Sequence, residues 1–161
     1  MTVTPRGGSI APSMLGIAHA GPLDTARRHR LELLDSIHEF ERAIAVPSAD
    51  PDWRRRVSLR LERLREAFAE HVSVTEGATG LYAEVLVAAP RLARTVGVLV
   101  REHSMITRTL DALTERLVGV PVDAERFRNW ASDLLRELSR HRQRGADLVY
   151  EAYATDIGGE T

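Results

Sequence analysis

Apolar residues in this chain recur every three or four positions along four separate stretches, and nowhere do they alternate strictly with polar ones. That period is helical, because it stacks successive side chains on one face of a 3.6-residue turn. The first stretch carries Leu33, Ile37, Phe40 and Ile44 and stops at Pro47. Asp24 is its expected cap. Asp50 followed by Pro51 is a restart signal, a capping residue before a proline at the first helical position. Val57, Leu61, Leu64 and Phe68 follow, until Gly77 and Gly80 loosen the helix and Pro90 stops it. A third stretch holds Val96, Leu99, Ile106, Leu110, Leu113 and Leu117 and ends at Gly119 and Pro121. Asp123 then caps a fourth, with Phe127, Trp130, Leu134, Leu138, Leu148 and Ala152.

Four long helices with short connections predict an all-α, up-down-up-down four-helix bundle over residues 24–155. Gly, Pro and Ser dominate residues 1–23, which are expected to be a flexible tail, and 156–161 to be a second, short one.

Composition removes several kinds of chemistry. With no cysteine among 161 residues, the chain has no disulfide, thiol nucleophile, Cys-ligated zinc or iron–sulfur cluster. All 22 basic residues are Arg, and 23 acidic ones answer them, for a net charge of −1. An extended nucleic-acid surface is not expected from that balance. The run Arg54-Arg55-Arg56 at a helix start opposes the helix dipole, which leaves open a bound anion there. No apolar run approaches the roughly 18 residues of a membrane span, and residues 1–20 lack a signal-peptide core, so a cytoplasmic protein without a membrane partner is expected. The His-Glu-x-x-His, P-loop, dinucleotide and nucleophile-elbow patterns are missing, as is the Glu-x-x-His of ferritin-type di-iron sites.

The informative residues are four histidines at core-facing spacing. His29 lies four before Leu33, His71 three after Phe68, His103 between Leu99 and Ile106, and His141 three after Leu138. Each predicted helix therefore offers one imidazole to the interior. In an antiparallel bundle, residues at one height are equidistant from the turn that joins their helices. The midpoint of His29 and His71 falls at residue 50, that of His71 and His103 at 87, and that of His103 and His141 at 122, all at assigned turns. The four rings are thus expected in one layer. Packed together they leave ring nitrogens without partners, and protonating several would set like charges side by side. A transition metal resolves this by accepting nitrogen lone pairs. A metal-free polar layer is the alternative. Glu32, three after His29, and Glu137, four before His141, share faces with their histidines and are candidates to orient the rings.

At His29, at His71-Val72-Ser73-Val74-Thr75-Glu76-Gly77 with Gly80-Leu81-Tyr82, at Arg101-Glu102-His103, and at His141-Arg142-Gln143-Arg144-Gly145-Ala146-Asp147, the sequence resembles the hemerythrin-like (HHE cation-binding) family. The resemblance implies a four-helix bundle around a non-haem di-iron centre with His and bridging carboxylate ligands. Members of that family bind or sense oxygen, handle peroxide or nitric oxide, or store iron. Carried over by position, it implies His29, His71, Glu76, His103, His141 and Asp147 as metal ligands.

The departures are equally specific. The family pattern has Glu four after the second-helix His, where this chain has Thr75, with Glu76 one place on. It has a second His four after the third-helix His, where this chain has Thr107. It has Asp five after the fourth-helix His, where this chain has Ala146, with Asp147 one place on. One residue is about 100° of helix, enough to turn a carboxylate off the metal side unless a π-bulge resets the phase. Thr75 and Thr107 are expected to hydrogen-bond within their helices or to an imidazole. The expected function is an iron-binding protein, with one or two ions or another transition metal, that binds, senses or reacts with a small oxidant. A degenerate, metal-free bundle acting as an interaction or regulatory module is the alternative.

Overall fold

The structure, a computed structural model, describes residues 21–119 and 121–154. Those residues form five helices and one 3-10 turn, with no strand among them: α1 Pro22–Ala45, α2 Trp53–Glu76, α3 Leu81–Ala88, the turn Pro90–Leu92, α4 Ala93–Val118 and α5 Ala124–Tyr153. Four of the helices are long. Of the two expected tails, residues 1–20 and 156–161 lie outside the described residues, while Pro22 and Leu23 open α1.

The starts and stops follow local chemistry. Pro22 suits the first turn of α1, where an amide N–H would have no helical partner, and Asp24 falls in that turn, not at the cap. Asp50 does not cap α2 directly. Its Oδ1 accepts the Asp52 N–H at 2.9 Å, closing a turn, and α2 begins after Asp52. Asp123 caps α5 as expected, its Oδ1 accepting from the N–H groups of Glu125 and Arg126, each at 3.1 Å. Between α2 and α3 the chain folds back so tightly that a Cβ on Gly80 would lie 2.7 Å from the Val74 carbonyl oxygen. Only glycine fits there.

Two arginines close the open ends of distant helices. Arg54 donates to the carbonyls of Leu117 (2.7 Å from Nε) and Gly119 (2.7 Å) at the end of α4. Arg128 donates to those of Ile44 and Val46 at the end of α1, at 2.7 and 2.8 Å. Cations at helix C-termini are stabilising. Arg54 is thereby committed to carbonyls, while Arg55 and Arg56 pair with Asp52 and Asp50. The Arg54–Arg56 run therefore provides no anion site.

α1 packs on α2 and α5, and α4 on α2 and α5. Every apolar seam residue predicted from the period is buried except Trp130, which is half-buried. The core is divided in two. A larger cluster joins Leu33, Phe40, Leu61, Leu64, Phe68, Leu110, Phe127 and Leu134 with their neighbours. A smaller one joins Ala26, Leu81, Tyr82, Val85, Leu92, Leu99 and Leu148. In each long helix a histidine stands between the residues of one cluster and those of the other: His29 between Ala26 and Leu33, His71 after Phe68, His103 between Leu99 and Ile106, His141 between Leu138 and Leu148.

Candidate metal centre

Three of those histidines converge. His71 from α2, His103 from α4 and His141 from α5 are 6%, 2% and 2% exposed, and one nitrogen from each lies within 4.8 Å of the others. The His103 and His141 Nε2 atoms are 3.0 Å apart, and those of His71 and His141 3.3 Å. Phe68 closes the side toward the larger cluster, with its ring edge-on to His103 and His141. Tyr82 closes the side toward the smaller one, stacked on His103 at 5.8 Å and an 11° interplanar angle. Burial pushes the Tyr82 phenol well above its usual pKa, so it remains a neutral lid.

Two carboxylates set the ring tautomers. Glu76 Oε1 accepts from His103 Nδ1 at 2.5 Å, and Glu102 Oε2 from His141 Nδ1 at 3.0 Å. Arg144 in turn pairs with Glu102. With the proton on Nδ1, each of these rings presents a bare lone pair at Nε2. Burial, together with repulsion from its neighbours, lowers the pKa of His71 to about 3, repulsion from His103 and His141 coming first and that from Arg30 and His29 after. Burial and His141 lower His103 to about 3, and burial lowers His141 to about 4. All three are neutral at pH 7.

Neutral rings held this way face an unresolved contact. With Nδ1–H on both rings, the His103 and His141 Nε2 atoms face each other lone pair to lone pair at 3.0 Å. His71 can supply one through Nε2–H to His141, but that leaves the His103 lone pair unmet. If the His71 proton is on Nδ1 instead, it is buried without an acceptor. A cation among the three Nε2 atoms removes the conflict. For metal–nitrogen distances of about 2.0–2.1 Å, adjacent ligand nitrogens are about 2.9 Å apart in an octahedral site and about 3.3 Å in a tetrahedral one. The two short edges here, 3.0 and 3.3 Å, fall within the span of those lengths without selecting either geometry. The donor set fits a single transition-metal ion.

The other expected residues stand elsewhere. His29 is not brought into the cluster: its Nδ1 is 2.9 Å from Glu32 and its Nε2 3.9 Å from Glu70. Glu32 therefore faces the ring of a histidine outside the triad. Glu76 reaches His103 Nδ1 and not the three-nitrogen cluster. α2 and α5 are regular α-helix over the described residues, so no π-bulge returns the displaced carboxylates to the phase of the family pattern. Asp147 is exposed and accepts from Gln143 at 2.9 Å. Thr75 bonds back to the His71 carbonyl at 2.7 Å, and Thr107 is exposed. Glu137 is half-buried, and the Nδ1 it was expected to orient is held by Glu102. Sequence reasoning missed that role of Glu102. One position from His103, it sits about 100° around α4, on the side where α5 packs. Only the choice of neighbouring helix reveals it.

No known protein family, curated protein or solved structure matches this chain. The functional reading therefore rests on the residues and their arrangement.

Proposed function

We propose that the chain is a hemerythrin-like, up-down-up-down four-helix bundle that holds one transition-metal ion, iron by the resemblance, on the Nε2 atoms of His71, His103 and His141. The function is to bind, sense or react with a small oxidant such as oxygen, peroxide or nitric oxide. The observation that carries this reading is the pair of buried rings, each with Nδ1 against a carboxylate, whose Nε2 atoms lie 3.0 Å apart. Bound there, iron supplies a redox-active centre whose unfilled coordination positions accept a small molecule. Glu76 and Glu102 hold the rings in the ligating tautomer and raise their basicity. Phe68 and Tyr82 cover the rings against bulk water, and Arg144 pairs with Glu102.

Purified protein from iron-supplemented medium is expected to carry about one iron per chain and a near-ultraviolet charge-transfer band, and to lose stability on chelation. The change His103→Ala should abolish the band with helix content retained. Metal-free protein whose stability ignores both iron and chelator would overturn the proposal. A second reading is favoured by the outward placement of Asp147 and Thr107: a metal-free bundle acting as an interaction or regulatory module. Under it, replacing the histidines by Leu is neutral or stabilising at neutral pH.

A further inference from the structure

Beside the imidazoles lies positive charge with no counter-charge among the described residues. Arg30 on α1 and Arg142 on α5 line a cavity of about 20 Å³ together with His71, Thr75, Tyr82 and Gly145. That is room for one small species. Neither guanidinium has a carboxylate partner among the described residues. The contrast with other arginines is plain: Arg60 pairs with Glu39, Arg65 with Asp111 and Glu62, and Arg54 and Arg128 with helix carbonyls. Two buried nitrogens of the cavity lining have no hydrogen-bond partner, Arg142 Nε and His71 Nδ1. Arg142 Nε is an obligate donor on a cation, which costs free energy when buried without an acceptor. Arg30 is desolvated and also repelled by Arg27 and Arg142, so its pKa is lowered. A water would satisfy a donor but leave that repulsion in place. An anion answers both.

We propose that this cavity is a binding site for a small inorganic anion of halide size, held between the guanidiniums of Arg30 and Arg142. The proposal goes beyond the metal reading and does not depend on it. Guanidinium is suited to the task, because it is always charged, weakly hydrated and fixed in its donor directions. The small volume favours a monatomic anion over a polyatomic organic one.

The test uses full-length, metal-free protein with chloride as the probe. Thermal midpoints are compared in sodium chloride and sodium gluconate at equal ionic strength, alongside ³⁵Cl line widths. The expected result is a saturable rise of the midpoint in chloride only, following the mass-action form for one site, with matching saturable line broadening. Arg142→Gln should weaken the response at least tenfold. Arg55→Gln, an exposed arginine paired with Asp52, should leave it unchanged. Equal curves in the two salts, or a wild-type response in Arg142→Gln, would overturn the proposal. A protein that takes up no iron but responds to chloride keeps this inference and loses the metal reading, and the converse result separates them the other way.

Discussion

The two apolar clusters on either side of the histidines are built differently. The larger draws only on the four long helices, with Leu, Ile and Phe at every third or fourth position, and its central side chains Leu33, Phe40, Leu64, Phe127 and Leu134 are fully buried. The smaller mixes the ends of long helices with α3 and the Pro90–Leu92 turn, and uses Ala26, Ala89 and Tyr82 where the larger uses bulky aliphatics. The first is a scaffold whose worth is area removed from water, roughly 1.5–3 kcal/mol for each large side chain. The second is a cover whose worth is to keep the imidazoles dry. The polar layer between them therefore carries a desolvation cost that one side supplies stability for and the other side enforces.

The largest expected effect comes from breaking that layer with acid. In metal-free protein, His71, His103 and His141 have folded pKa values near 3 to 4, against 6.5 in the unfolded chain. Between those limits the unfolded chain binds more protons, so stability falls as pH drops below about 6.5 and levels off only below the folded values. At pH 5 this costs about 2 kcal/mol for each imidazole that stays neutral. Glu76, raised by burial, and the carboxylate of Glu102 offset part of it, while Arg30 adds to it. Urea titrations at pH 5 and pH 7.5 measure the difference, and the triple change to Leu at the three histidines should remove most of it. A flat profile in the wild-type chain would mean that water or protons enter the layer freely and that the cover does not seal.

Next in size is a test of the scaffold against the cover. Phe127 is fully buried and meets Trp53 edge-on at 6.0 Å. Phe127→Ala is expected to cost about 3–5 kcal/mol. Val85, equally buried in the smaller cluster, loses two carbons on change to Ala, about 1.6 kcal/mol at roughly 0.8 per methylene. The sharper difference should be in hydrogen exchange of the His-layer amides. Val85→Ala should quicken it more than its small cost in global stability predicts, whereas Phe127→Ala should quicken it only in proportion. Equal behaviour would merge the two clusters into one cooperative core.

The scaffold was legible in the sequence because a helix facing three neighbours must repeat its apolar residues at the helical period, and Leu33 to Ile44 and Val57 to Phe68 do so. That His71, His103 and His141 face the interior was legible for the same reason, since each stands at the helical period of its apolar seam. The cover was not. Leu81–Ala88 is apolar on nearly all sides, so it has no polar face to reveal a period, and its two preceding glycines look like a frayed end of α2 when they in fact close a tight turn. Nor was the rotation of each ring legible. Spacing places a histidine on a face to within a fraction of a turn, while the atom it offers depends on which carboxylate reaches Nδ1, and Glu102 comes from a different helix than the ring it orients.

A smaller effect should follow from that carboxylate. Glu102→Gln keeps the shape but no longer offers a charged acceptor to His141 Nδ1–H. Metal affinity is expected to fall about 10- to 100-fold, the usual worth of a ligand's hydrogen-bonded partner. Competition with a chelator of known affinity measures it. Fold stability without metal should change less than metal affinity does, because the Gln amide oxygen can still accept from His141 Nδ1–H and the lost charge pair is with Arg144, which is more than half exposed. An unchanged affinity would assign Glu102 to the Arg144 pair alone and leave the His141 tautomer to chance.

The smallest expected effect concerns the histidine that lies outside the cluster. His29 faces Glu32 at 2.9 Å and Glu70 at 3.9 Å, both more than half exposed, and only a long-range repulsion reaches it from His71. Such a pair is worth up to about 1 kcal/mol. His29→Ala should therefore cost no more than that, with iron content and the absorption band unchanged. Loss of the band would show that a bound ion draws His29 away from Glu32 as a fourth ligand, a movement of one side chain that the resemblance to hemerythrin-like proteins anticipates. The same variant then measures how far the layer rearranges around a cation, because a ring released from two carboxylates must turn through the space between Ala26 and Leu33 to reach it. A silent variant fixes the nitrogen donors at three and leaves the remaining coordination positions to exogenous molecules.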